Sequence, residues 1–320
     1  MIDYIRAKLL DKDKITQKMI KDKDMYEVEG KYSYTIGELP YPIRSRRENL
    51  FINVTEKSAY IENSIHKYFN NLVSNENQNY NDFYLCDILY TLDVLEQEIN
   101  YPLENTLVTN LEFGFNIELN INPTKFLQNH VLMHNLRTPC FNPKNDSNMK
   151  IKKFIYTEYE IKIYNKTLEQ SRHKGFKSKL TGTNILRIEV KYTSKKQLSK
   201  LGINTLNDLK NPKSYHALIK DFMNRYDDLL IIDSYNGSSL MSKKDREFIT
   251  LCTHPNHWID IRTNSHSNTP TNHKKKLKKL IKEYELDTWK KHLKQDILNK
   301  FNQLMSLGCF ESSKISLNVA

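Results

Sequence analysis

Cysteine is scarce in this chain and scattered. Cys86, Cys140, Cys252 and Cys309 form no Cys-x-x-Cys spacing, which argues against a disulfide framework and against a zinc ribbon and points to a reducing compartment. No apolar run approaches the length of about 20 residues that a membrane-spanning helix needs. Met1 to Asp24 is dense in Lys and Asp and lacks the apolar stretch of a signal peptide. A soluble, cytoplasmic protein with no membrane partner is the expectation. Only 8 glycines and 9 prolines accompany a hydrophobic content of 38%, so fibrous and low-complexity classes are excluded and a globular chain is implied. Internal repeats are missing as well.

What the sequence has in excess is positive charge. A net charge of +11 over 320 residues points to a polyanionic partner, of which nucleic acid is the commonest. The length suits two domains of ordinary size. We place them at 1–195, a mixed domain, and 196–320, a mainly helical basic region for DNA binding or dimerisation.

Three stretches alternate without a break. Tyr159 to Lys166 sets Ile161 and Ile163 on one face and Glu160, Lys162, Tyr164 and Lys166 on the other. Leu111 to Leu119 opposes Leu111, Phe113, Phe115, Ile117 and Leu119 to Glu112, Gly114, Asn116 and Glu118, and Ile185 to Tyr192 opposes Leu186, Ile188, Val190 and Tyr192 to Arg187, Glu189 and Lys191. If the three pair in one half-buried sheet, Glu112, Glu189 and Tyr164 share a polar face. Tyr164 is then a candidate nucleophile with cations beside it. The expected fold is α+β: a mostly antiparallel sheet with helices on one face, the other open, followed by the helical C-terminal region.

Taken in order, residues 1–43 give little beyond a possible strand at Tyr26 to Tyr34. A basic cluster, Arg44 to Arg47, precedes a strand from Asn49 to Val54, and Arg46 and Arg47 are candidate phosphate contacts. Asn63 to Phe69 turns into a short helix. Asp82 to Ile99 has clear helical spacing, with Asn81 or Asp82 as cap and Pro102 beyond its end. Lys125 to Leu136 reads as a helix after Asn122-Pro123-Thr124, with His130 and His134 on one face as surface or interface histidines. The strand carrying Tyr164 is expected over 153–166. The loop 167–184 holds Arg172, Lys174, Lys177 and Lys179 around Gly175 and Phe176 and is expected to touch a DNA backbone. Helices are expected at 195–201, 205–210 and 215–231, a linker at 235–242, an irregular segment at 254–271, and a last long helix at 273–307 opening on a lysine run. Cys252, His254 and His257, with His266 or His273, stand close enough in sequence to bind zinc, though their spacing matches no familiar zinc module.

With the three strands in hand, the sequence resembles rolling-circle replication initiators: the plasmid proteins that nick one strand of an origin, and the replication proteins of filamentous and other single-stranded DNA phages. The resemblance rests on the acidic strand Leu111 to Leu119, on Ile163-Tyr164-Asn165-Lys166 and on Arg187-Ile188-Glu189-Val190-Lys191, in that order, with Asn63 to Phe69 similar to a Ser-hydrophobic-x-Lys-aromatic stretch of the phage members. It covers about residues 49–210. It implies that Tyr164 is the transesterifying tyrosine and that Glu112 and Glu189 hold Mg²⁺ or Mn²⁺. Asn116 stands where some members carry a second aspartate, so the third ligand falls to Asn116, Glu118 or Glu160. No His-hydrophobic-His pair is present, which implies a carboxylate-rich site.

On this reading the metal polarises a scissile phosphate, Lys162, Lys166 and Arg187 add positive charge, and the products are a 5′-phosphotyrosine and a free 3′ hydroxyl. The substrate is a single-stranded or hairpin origin, and a host helicase and polymerase follow. Two other readings stand beside it: a relaxase or transposase with the same chemistry, and a non-catalytic origin-binding protein or repressor.

Overall fold

The structure is a computed structural model that describes residues 1–21, 27–29, 41–140, 151–171, 182–235 and 241–306. Its centre is a nine-stranded sheet in which every neighbouring pair is antiparallel. In chain order its strands are β1 (Ile2–Leu9), β2 (Glu27–Glu29), β3 (Ile43–Arg47), β4 (Leu50–Val54), β5 (Ala59–Ser64) and β6 (Thr106–Glu118). A short β7 (Val131–His134) lies outside this sheet, which continues with β8 (Ile151–Ile155), β9 (Tyr159–Asn165) and β10 (Ile185–Tyr192). Across the sheet the order is β2-β3-β4-β5-β1-β6-β10-β9-β8. The fold is therefore α+β, as expected. β1, over residues that gave no sequence reading, sits near its middle.

The helices are α1 (Lys12–Lys21), α2 (Ile65–Ser74), α3 (Leu85–Glu98), α4 (Pro123–Asn129), α5 (Lys166–Gln170), α6 (Lys195–Lys200), α7 (Pro212–Asp227), α8 (Lys243–Thr253), α9 (Pro255–Asn264), α10 (Thr269–Glu283) and α11 (Thr288–Met305). Several boundaries differ from expectation for identifiable reasons. α3 starts three residues later because Asp87 accepts the Tyr84 backbone N–H at 3.0 Å, while Asp82 pairs instead with Lys300 of α11 at 3.0 Å. Lys125 to Leu136 is not one helix: it stops at Asn129, and Val131 to His134 pairs with β11 (Leu229–Ile231). That pairing also ends the helix expected to reach residue 231. The long strand expected over 153–166 is a hairpin of β8 and β9, closed by Tyr156 N–H donating to Tyr159 O at 2.9 Å, and Lys166 is already helical, with Asn165 capping α5 by accepting the Leu168 N–H at 2.9 Å. The irregular 254–271 segment contains α9. The last long helix is two, α10 and α11, separated where Glu285 takes a left-handed φ of 51°.

One large core runs through the sheet and most of the helices. Phe222 of α7 packs edge-on against Phe113 and Phe115 of β6, and Phe301 of α11 packs against Phe115. So α7 and α11 belong to the sheet's own core rather than to a separate C-terminal body beginning at 196. A second, smaller core gathers Met133, Ile232 and Met241 with residues of α8, α9 and α10.

His130 and His134 are core residues rather than partners on a helix surface. His134, 1% exposed, donates from Nε2 to the Arg225 carbonyl at 3.0 Å and accepts at Nδ1 from the Tyr156 hydroxyl. Burial pulls its pKa from 6.5 down to about 4. The unfolded chain therefore takes up a proton between these values that the folded chain does not, and stability, complete above 6.5, is lost as pH falls toward 4. The expected loss is on the order of 3 kcal/mol. Urea unfolding at pH 7 and at pH 4.5 should reveal it, and His134→Gln should reduce the difference between the two.

Candidate functional site

The three strands that carry the sequence motif are adjacent, and their register fixes what faces what. Arg187 of β10 lies opposite Asn116 of β6 on one side and Tyr164 of β9 on the other; Glu189 lies opposite Gly114 and Lys162; Lys191 lies opposite Glu112 and Glu160. Directly paired residues project to the same face, so these side chains form one polar surface, as expected.

A fourth strand contributes a residue that the sequence reading missed. Ile2 pairs with Phe113 and Ile5 with Leu111, so Asp3 and Tyr4 together oppose the single residue Glu112. This is a β-bulge, and bulges re-aim side chains. Here it turns Asp3 toward Glu112 and Glu189, and carboxylate oxygens of Asp3, Glu112 and Glu189 lie within 4.8 Å of one another. Only the alternation of Ile5, Ala7 and Leu9 marks β1 in the sequence; the bulge hides the acid.

The cluster is tightly paired. Lys162 Nζ donates to Glu112 at 2.8 Å and to Glu189 at 3.0 Å, bridging the two carboxylates. Arg187 donates to Glu189 at 2.6 Å, to Asp3 at 2.9 Å and to Asn116 Oδ1 at 3.0 Å. Asp3 also accepts from Ser64 and from Asn79. The polar face is thus not open throughout. The segment before α3 crosses one end of it: Asn116 donates to the Tyr80 carbonyl at 3.0 Å, and Lys166 donates to Asn79 at 2.7 Å. Arg187 and Glu189 are 3% and 2% exposed; toward Lys191, Glu160 and Tyr164 the face is only half-buried.

Burial and charge act differently on each acid. Burial opposes the ionisation of Glu189 and of Asp3, yet Arg187, helped by lysines, holds both below the usual carboxylate range. Glu112 goes the other way, pushed up by burial and by the neighbouring charge of Glu189. The Tyr164 phenol is raised well above its ordinary value, first by burial and then by Glu189. Lys166 is lowered by burial and by Arg187.

Among the described residues, Tyr164 differs from its neighbours in having no partner for its hydroxyl. Its ring lies 5.8 Å from Lys166 Nζ, but no hydrogen bond engages its hydroxyl among the described residues. Asn116 and Glu160, expected as metal ligands, stand outside the acid cluster. Asn116 is engaged on both its oxygen and its nitrogen, and Glu160 pairs with Lys153 at 2.9 Å. Arg187, expected to be catalytic, is engaged at Nε by Glu189, at Nη2 by Asp3 and at Nη1 by Asn116.

Of the expected DNA contacts, Arg172, Lys174, Lys177 and Lys179 lie outside the described residues. The register chain Arg46–Phe51–Glu62–Arg6–Asn110 puts exposed Arg46 on the same face as the acids, six strand spacings from β9, or on the order of 29 Å. Arg47 pairs with Leu50 and projects to the opposite, core side.

Gly114 makes the close fit of Glu189 attainable. A Cβ there would lie 2.5 Å from the Ile188 carbonyl oxygen and 2.6 Å from Glu189 Cβ, so both strands would have to separate. Gly114→Ala is expected to destabilise the protein by at least about 2 kcal/mol, measured by denaturant unfolding, and to disturb the acid cluster.

Comparison of the chain with protein-family models and with curated proteins finds no match. Among the described residues, no helix is long and apolar enough to cross a membrane.

Proposed function

We propose that this chain nicks and rejoins one DNA strand through a covalent tyrosine intermediate at Tyr164, and that it serves to start rolling-circle replication of a plasmid or phage genome. The observation that supports this best is the convergence of Asp3, Glu112 and Glu189 from three strands, beside a half-buried tyrosine whose hydroxyl has no hydrogen-bond partner among the described residues. An all-oxygen donor set suits a hard divalent cation such as Mg²⁺ or Mn²⁺. Such an ion would supply Lewis acidity and offset charge on a phosphate.

The residues divide the remaining work. Tyr164 Oη attacks phosphorus in line, the bond from phosphorus to the 3′ oxygen breaks, and that oxygen leaves as a hydroxyl once protonated, with the 5′ phosphate esterified to the ring. The phenolic proton must go to a base because the site keeps the phenol protonated. Lys166, 5.8 Å from the ring, is an ammonium paired with Glu169 at 2.9 Å and donating to Asn79, so it supplies positive charge beside the developing phenolate, and the proton passes to solvent. Asp3 and Glu189 stay ionised under Arg187. Lys162 occupies the position between Glu112 and Glu189, so cation binding there requires its ammonium to swing away.

The same bridging lysine favours a second reading, in which the cluster is a closed ion-pair network and the protein binds origin DNA without cutting it. Incubation with supercoiled origin plasmid and with labelled single strands, with and without Mg²⁺ or Mn²⁺, separates the two. Nicking predicts open circles and a metal-dependent protein–DNA adduct that peptide mapping assigns to Tyr164. Retarded DNA with no cleavage at any metal concentration would favour the binding protein.

A further inference from the structure

A second group of metal-ligating side chains lies in the smaller core. Cys252 is the penultimate residue of α8, His257 stands in the first turn of α9 and His273 is the fifth residue of α10. One ligand atom from each lies within 4.8 Å of the others. His257 Nε2 and His273 Nδ1 face each other at 3.0 Å, and their rings stack at 5.1 Å. The edges of Trp258 and Phe248 flank them, at 5.3 Å from His257 and 5.2 Å from His273. The Trp258 indole N–H donates to the Cys252 carbonyl at 2.8 Å, which fixes the turn between α8 and α9. His254 and His266, the other candidates in this segment, are exposed and outside the group.

We propose that Cys252, His257 and His273 bind one zinc ion that ties α8, α9 and α10 together. Two imidazoles and a thiolate are a borderline-soft donor set that selects Zn²⁺ over Mg²⁺ or Mn²⁺, the reverse of the preference of the carboxylates on the sheet. Among the described residues no fourth His, Cys, Asp or Glu joins the three, so the fourth position of the tetrahedron is left to water or to a ligand from outside this group. The surroundings give such an ion a structural task. Among the described residues the core of this unit holds ten buried ones, and Leu251 and Ile259 of its helices remain 46% and 60% exposed; small cores of this kind are commonly supplemented by a metal. The ligands come from three successive helices, so binding removes freedom from all of them at once.

The test uses the untagged full-length chain, stripped of metal and then titrated with Co²⁺ and with Zn²⁺ in buffer free of Mg²⁺ and Mn²⁺. Expected are one ion per chain by elemental analysis, a sulfur-to-cobalt charge-transfer band in the near ultraviolet that Zn²⁺ bleaches, and a fall in the melting temperature on chelation. Cys252→Ala and His273→Gln should each weaken binding by a factor on the order of 100 or more, while His254→Gln and His266→Gln leave it unchanged. Should a ligand variant not fold, the wild-type cobalt spectrum decides, since the charge-transfer band requires a thiolate ligand and the carboxylate cluster has none. A chain that takes up no stoichiometric Zn²⁺ or Co²⁺, or a cobalt spectrum without the sulfur band, overturns the proposal.

Discussion

Tyr164→Phe is expected to abolish the covalent DNA adduct and to lower nicking by a factor on the order of 10⁴ or more, while leaving the fold intact. The contrast follows from the position of the hydroxyl. The ring keeps its packing and its approach to Lys166 in the variant, and the missing oxygen leaves no donor or acceptor orphaned, because none is bonded to it among the described residues. Stability should therefore change by no more than about 0.5 kcal/mol. Denaturant unfolding and adduct formation, measured on the same preparation, check the two halves. Continued adduct formation in the Phe variant would move the nucleophile to another residue and remove the centre of the functional proposal.

Arg187→Met is expected to produce the largest loss of stability of any single substitution on the polar face, about 3–5 kcal/mol. Its guanidinium bonds Glu189, Asp3 and Asn116 in a site where it is only 3% exposed. Methionine fills similar volume but leaves two buried carboxylates without their main counter-charge. Either they remain ionised at high cost or they take up protons, so the loss should be greatest at neutral pH and smaller in acid. Lys191→Met is the control. Lys191 reaches the remaining acid of the cluster from its more exposed edge, at 3.3 Å from Glu112, and a partly exposed pair of this kind contributes about 1 kcal/mol or less. Equal effects of the two substitutions, read from urea unfolding at pH 7, would mean that the acids are not held as a unit.

Much of this site is legible in the sequence because its strands obey the two-residue period. Alternation in Leu111 to Leu119, Tyr159 to Lys166 and Ile185 to Tyr192 assigns every side chain of β6, β9 and β10 to its face, and the antiparallel pairing then brings Glu112, Glu189 and Tyr164 onto one surface. The third acid was not legible. A bulge breaks the period between Ile2 and Ile5, so Asp3 joins the polar face out of step with its strand, whereas strict alternation offers Asn116, Glu118 or Glu160 for the third ligand. Elsewhere local spacing was overruled by pairing across the chain: Val131 to His134 continues a helical pattern but is claimed by Leu229 to Ile231. The convergence of Cys252, His257 and His273 required the helix at Pro255–Asn264 and the turn that follows it before Thr269, neither of which the charge-rich composition there announces.

The bulged first strand also governs when the acid cluster can assemble during synthesis. Asp3 and Arg187 stand 184 positions apart in the chain, and β1 is wedged between β5 and β6, so its two flanks are completed at widely separated moments of translation. Contacts of such long sequence range form slowly. A polypeptide still on the ribosome, or one truncated before Ile185, would hold the tyrosine and two of the acids but not Glu189 or the arginine that orients them. If the proposed nicking activity is right, a nascent chain would not cut DNA until the whole sheet has closed.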